Sequence, residues 1–214
     1  MLVRVIESIS YEYICLIFFC FIFQIIMVKK EHKNGHRYGW KHFIWVYIFY
    51  IYLMLVFICT GVGTLYEFRL YGTAISLNQI NLIPFSINSG GIMTHIANAI
   101  MFLPLGFLLP LIWEQFKSAG KVVYTGLLFS LAIELSQLLD RRTTDIDDLI
   151  MNTMGAFLGL VIFYLFEKLF KGKKEKQKDS LRRTKLSFLA YHEACFYLIF
   201  SFAGVFLLYK PFLF

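Results

Sequence analysis

Apolar residues dominate six long stretches of this chain, divided by more polar segments: Tyr11–Val28, Phe43–Thr64, Thr94–Trp113, Val122–Leu139, Leu149–Phe170 and Leu186–Tyr209. About 20 consecutive apolar residues cross the hydrocarbon core as an α-helix. The pattern predicts an all-α, polytopic integral membrane protein with about six transmembrane helices. The first span is the shortest and contains Gln24. No small-x-small cleavage site precedes Lys29-Lys30, so this span reads as a retained helix rather than a signal peptide.

Composition supports the same class. Of 214 residues, 58% are hydrophobic, 19% aromatic and only 16% charged, too little polar surface for a soluble domain. The formal charge of +7 is concentrated in three segments, Lys29–His42, Glu114–Lys121 and Lys171–Lys185. With six spans these lie on one side, which the excess of lysine and arginine makes cytoplasmic. Both termini, the Leu65–Met93 loop and the Asp140–Asp148 loop are then expected outside the cell membrane. Anionic lipid accounts for the basic segments, so membrane lipids are the expected partners and no nucleic acid is implied. The four cysteines lie within spans and show no metal or redox spacing.

Three parts are expected: a first helix with its basic cytoplasmic loop (1–42), a helical core (43–170), and a basic hinge with a last helix (171–214). The Leu65–Met93 loop, with Asn81-Leu-Ile-Pro84-Phe85, reads as a connector hugging the membrane. Pro104 and Pro110 are expected to kink the third span, and Gly155-x3-Gly159 reads as a close helix–helix contact. His192-Glu193 reads as an isolated polar pair near the cytoplasmic interface.

The chemistry concentrates in one run: Ser130, Glu134, Gln137, Asp140, Arg141, Arg142, Asp145, Asp147, Asp148 and Asn152. Charged groups are expensive in a bilayer and mark functional sites unless packing explains them. Glu134 and Gln137 share one helix face, while Asp145, Asp148 and Asn152 share another at i, i+3 and i+7. Two such stripes on consecutive antiparallel helices are expected to face each other, with Asn98 closing a third side. Capping explains Asp145 or Asp148 alone, and pairing with an arginine explains Glu134 alone. Neither accounts for the whole set. Carboxylate and amide oxygens suit a hard cation, which makes Asp145, Asp147 and Asp148 candidate ligands for Mg²⁺ or Ca²⁺. Glu134, Asp145 and Asp148 are candidate acid–base groups. Arg141 and Arg142 are candidates for an anionic head group.

At these residues the chain resembles the VanZ-like family of bacterial membrane proteins over roughly Tyr66–Tyr164. The resemblance is carried by Asn81-Leu82-x-Pro84-Phe85, Asn98-x3-Phe102-x-Pro104-x-Gly106 and Glu134-x2-Gln137. It continues through Arg142-x2-Asp145-x-Asp147-Asp148 and Asn152-Thr153-x-Gly155. It implies a cell-membrane protein that lowers susceptibility to teicoplanin, a glycopeptide antibiotic that binds wall precursors at the outer face. The site residues under this reading are Asn81, Asn98, Glu134, Gln137, Arg142, Asp145, Asp147, Asp148 and Asn152. Two alternatives stay open: an intramembrane enzyme acting on a lipid or lipid-linked cell-wall precursor, and a non-catalytic binding or scaffold protein.

Overall fold

The computed structural model describes residues 2–71, 79–86, 91–139, 142–170 and 187–210, with backbone alone for 2–9 and 71. The helices are α1 (Leu2–Lys33), α2 (Trp40–Thr60), α3 (Leu65–Tyr71), α4 (Ile92–Ile112), α5 (Ala119–Leu139), α6 (Ile146–Phe170), α7 (Phe188–Tyr191) and α8 (Glu193–Leu208). Two short strands, β1 (Ile80–Asn81) and β2 (Thr144–Asp145), pair in parallel. Among the described residues, five helices are long and apolar enough to cross a membrane. The chain is thus an all-α polytopic membrane protein.

The sixth expected span, Leu186–Tyr209, differs from a single helix. It breaks at His192 into α7 and the 16-residue α8. At 1.5 Å per residue α8 alone covers about 24 Å, just short of the hydrocarbon core. The break puts Glu193 in the first turn of α8, where its carboxylate faces inward. One oxygen lies 2.9 Å from His42 Nε2 and the other accepts from Trp113 Nε1 at 2.9 Å. The expectation of an isolated His192-Glu193 pair is therefore corrected. Glu193 is 1% exposed and ties the start of α8 to the start of α2 and the end of α4. Nearby, Tyr38 stacks on His42 with centroids 4.8 Å apart, and the buried Glu31 carboxylate has no hydrogen-bond partner.

α4 and α6 form the frame. Their backbones touch: a Cβ on Gly106 would collide with the Ala156 carbonyl, and one on Gly155 with that of Ala99. The Gly155/Gly159 pair is a close helix contact, as its spacing predicts. α4 remains one helix through Pro104 and Pro110. Pro104 has no N–H for the carbonyl one turn earlier, and the Tyr52 hydroxyl donates to the neighbouring Met101 carbonyl at 3.1 Å. Phe49, Phe57, Phe102, Leu105 and Phe163 fill the space between these helices and α2.

α1 and α8 pair along their lengths, with Phe23 against Phe196, Tyr197 and Phe200, and the Tyr11 hydroxyl on the Leu208 carbonyl. These contacts sort the helix ends into two layers. The ends of α2, α5 and α8 and the starts of α4 and α6 form one. The opposite ends form the other, where Lys117 pairs with Glu167 at 3.1 Å. Lys171–Lys185, Asp140, Arg141 and Asn88 lie outside the described residues.

Candidate functional site

The polar residues of the motif run assemble where the starts of α4 and α6 meet the end of α5. Asp145 precedes α6 and accepts from the Asp147 N–H at 3.0 Å, the capping role expected for one aspartate. Its own N–H donates to Glu134 Oε2 at 3.4 Å, and the Thr144 hydroxyl donates to the Glu134 carbonyl at 3.0 Å. Glu134 is 3% exposed, an ionisable group near the mouth of an apolar helix. Its electrostatic neighbours are Asp148 and Asp145. Asn98 on α4 donates from Nδ2 to Asp148 Oδ1. One turn deeper, Asn152 Nδ2 donates to Ser130 Oγ at 2.9 Å, and Asn152 Oδ1 is buried without a partner. Glu134, Asp145, Asp148, Asn98 and Asn152 therefore form one constellation on three helices.

The remaining motif residues hold its surroundings. Gln137 Nε2 donates to the Thr60 carbonyl at 2.8 Å, and Arg142 reaches the same carbonyl at 3.0 Å. Both therefore satisfy the end of α2, where the helix dipole favours a cation. Gly61 follows with φ 61, and the Arg142 guanidinium occupies the space its Cβ would take. The expectation that Gln137 shares a facing stripe with Glu134 is thus corrected. The helix ends a turn later, and its last polar side chain finds an orphan carbonyl nearer than the carboxylates.

Asn81 and Asp147 dock the incoming loop. Asn81 pairs in register with Asp145 across the β1–β2 bridge, and its Nδ2 donates to Asp145 Oδ2 at 3.0 Å and to Ser86 Oγ at 2.9 Å. Asp147, fully buried, accepts from the Phe85 N–H with both oxygens at 2.9 Å. That bond holds Phe85 at φ 53, a left-handed conformation uncommon for a bulky side chain. The segment expected to hug the membrane is therefore built into the site, although Leu82, Ile83 and Phe85 themselves remain exposed.

Sequence reasoning missed His95. It stands one turn before Asn98, 3.9 Å from Asp147 Oδ2 and edge-on to the Phe85 ring, and its Nδ1 is buried without a partner. The i, i+3 spacing to Asn98 was the available signal. The Thr64-x2-Glu67 capping box that starts α3 was legible in the same way: Thr64 N–H donates to Glu67 Oε2 at 2.8 Å. Among the described residues no three His, Cys, Asp or Glu side chains converge as a metal site would require, so Asp145, Asp147 and Asp148 hold α6 and the loop without forming a ready cage.

Protein VanZ of Enterococcus faecium is 36% identical over 97 residues, which is 45% of this chain and 59% of that relative. The chain thus matches less than two thirds of the relative's length. No solved structure matches it. The VanZ/LLP1 family model matches residues 44–167, from the start of α2 to the end of α6, more than half of the chain and the whole polar constellation. The chain belongs to the VanZ/LLP1 family.

Proposed function

We propose that this protein lowers susceptibility to teicoplanin-type glycopeptides, acting in the cell membrane through the Glu134–Asp148 constellation at its outer face. The observation that carries the reading is the buried Glu134 carboxylate beside Asp148, in an ion pair with no lysine or arginine among the described residues, in a chain of the VanZ/LLP1 family. A purely structural role for Glu134 would favour pairing it with a cation. Arg142, the described arginine nearest in sequence, instead serves the end of α2. The outward direction is supported by the basic segments at the opposite helix ends. A Leu82→Cys variant, in a Cys59→Ser background, is expected to react with a membrane-impermeant maleimide in intact cells. Labelling only after permeabilisation would reverse the orientation.

The functional test is teicoplanin susceptibility in cells expressing the wild type, Glu134→Gln or Asp148→Asn at equal membrane levels. Loss of protection in both variants is expected. Undiminished protection would remove the constellation from the function.

A second reading, an enzyme acting on a lipid or lipid-linked envelope precursor, is favoured by two carboxylate oxygens without donors, Glu134 Oε1 and Asp148 Oδ2. Two adjacent carboxyl groups at head-group depth suit acid–base work. Mass spectrometry of envelope lipids and wall precursors, with and without the protein, decides this reading. Identical profiles would rule out chemistry.

A further inference from the structure

Topology gathers lysine and arginine at one end of a membrane bundle, so cations at the other end call for a local reason. Of the described lysine and arginine side chains, Arg69, Arg142 and Lys210 stand at the end that carries the polar constellation. Arg142 is committed to the Thr60 carbonyl. Arg69 and Lys210 are both exposed, and among the described residues neither forms an ion pair or a hydrogen bond.

These two side chains, remote in sequence, border a single pocket where α3 packs on α8. Leu65, Tyr66, Arg69 and Leu70 line it from one face of α3, at i, i+1, i+4 and i+5. Leu207 and Lys210 line it from the last turn of α8 and just beyond. The pocket holds about 350 Å³, within the range of small-molecule sites. No carboxylate lines it. The carboxylate nearest to Arg69 in sequence, Glu67, is turned to the start of α3, where it accepts from the Thr64 N–H at 2.8 Å and the Thr64 hydroxyl at 3.0 Å.

Two cations at the rim of one cavity repel each other, and an anion between them removes that repulsion while accepting from both. Arginine offers a planar fork of donors and lysine a mobile point charge, a combination suited to the several oxygens of a phosphate. Leu65, Leu70 and Leu207 surround these charges with apolar surface at the end of the helices, where a lipid tail would begin.

We propose that the α3/α8 pocket binds a phosphate head group carried on a lipid tail, with Arg69 and Lys210 as its ligands. The VanZ/LLP1 match, residues 44–167, includes Arg69 but not Lys210, so the site forms only where the last helix packs on the family core. It shares no residue with the Glu134–Asp148 constellation and does not depend on the functional reading given above.

Thermal unfolding of the purified chain in a neutral maltoside detergent at fixed ionic strength tests the proposal, with dodecyl phosphate, inorganic phosphate or dodecylamine added at equal concentration. Dodecyl phosphate is expected to raise the melting temperature more than either comparator, because a ligand bound to the folded state stabilises it. Arg69→Ala and Lys210→Ala each remove charge-assisted bonds and should weaken dodecyl phosphate binding about tenfold or more. Lys29→Ala, which removes an exposed lysine at the opposite end of the bundle, should leave that binding unchanged. Equal stabilisation by dodecylamine would overturn the proposal, since it marks insertion of a tail without recognition of charge. Equal stabilisation by inorganic phosphate would overturn the lipid as the source of the anion. Binding that survives both Arg69→Ala and Lys210→Ala, or that falls as far in Lys29→Ala, would overturn the site itself. Both cation variants change exposed side chains and should melt like the wild type without ligand. If one of them fails to fold, the other decides.

Discussion

Replacing Glu193 by alanine should loosen the whole bundle without touching the outer site. The carboxylate holds His42 Nε2 and Trp113 Nε1, each at 2.9 Å, in a setting where Glu193 is 1% and Trp113 3% exposed. Hydrogen bonds to a charged group contribute about 1.5–3 kcal/mol each, and the variant leaves a buried indole N–H and an imidazole without a partner. Removing one side of a buried polar pair costs about 3–5 kcal/mol. At about 2–4 °C per kcal/mol for a chain of this size, the melting temperature should fall by about 6–20 °C. Unfolding of the detergent-purified protein measures this, with exposed Glu114→Ala as the control. Glu193→Gln keeps an acceptor for Trp113 and should recover part of the loss. His42→Ala combined with Glu193→Ala should cost clearly less than the sum of the two, because the second change removes a contact already lost. If Glu193→Ala melts within about 2 °C of the Glu114→Ala control, the clasp does not hold the helices together and the reasoning fails.

Three other outcomes follow from described contacts. Gly106→Leu places a side chain against the Ala156 carbonyl and should destabilise by at least about 1–3 kcal/mol, whereas Gly120→Leu, whose surroundings are empty, should be near neutral in the same melting assay. Asp147→Ala removes both acceptors of the Phe85 N–H, so limited proteolysis should cut near Leu82–Phe85 faster than in the wild type, and an unchanged cutting rate would mean that the loop is held elsewhere. Ser130→Ala with Asn152→Leu replaces both members of a buried pair by apolar groups, so stability should change by less than about 1 kcal/mol while teicoplanin protection is lost; stable variants that still protect would take Asn152 out of the site.

The membrane class and five of the spans were legible because length and hydropathy decide them. α4, α5 and α6 begin and end within about three residues of the expected limits. α1 runs from Leu2 to Lys33, beyond the apolar window, because basic residues at its end continue the helix without a breaker. The break at His192 was not legible. It depends on Glu193 finding His42 and Trp113, residues remote in sequence that only the packed bundle brings together. The same reason separates the motif residues. Spacing put Asp148 and Asn152 on one face of α6, opposite Glu134 and with Asn98 on a third side, and there they gather over about one turn. It could not show that Gln137 and Arg142 turn to Thr60, since an unpaired carbonyl at the end of another helix leaves no mark in the side-chain pattern. Nor could it show the β1–β2 bridge, which consists of two residues on each side.

The pairing of α1 with α8 has a consequence for how the protein is made. The Tyr11–Leu208 bond spans 197 positions, so the first long helix waits for its partner until nearly all of the described chain has been synthesised. At about 5–20 residues per second that delay is between about 10 and 40 s. Gln24 meets the Tyr47 hydroxyl of α2 early, at 3.4 Å, but the Phe23 face that packs on Phe196, Tyr197 and Phe200 stays open to lipid until α8 arrives. The last helix to be made thus closes the bundle against the first, with lipid covering the aromatic face of α1 in the meantime.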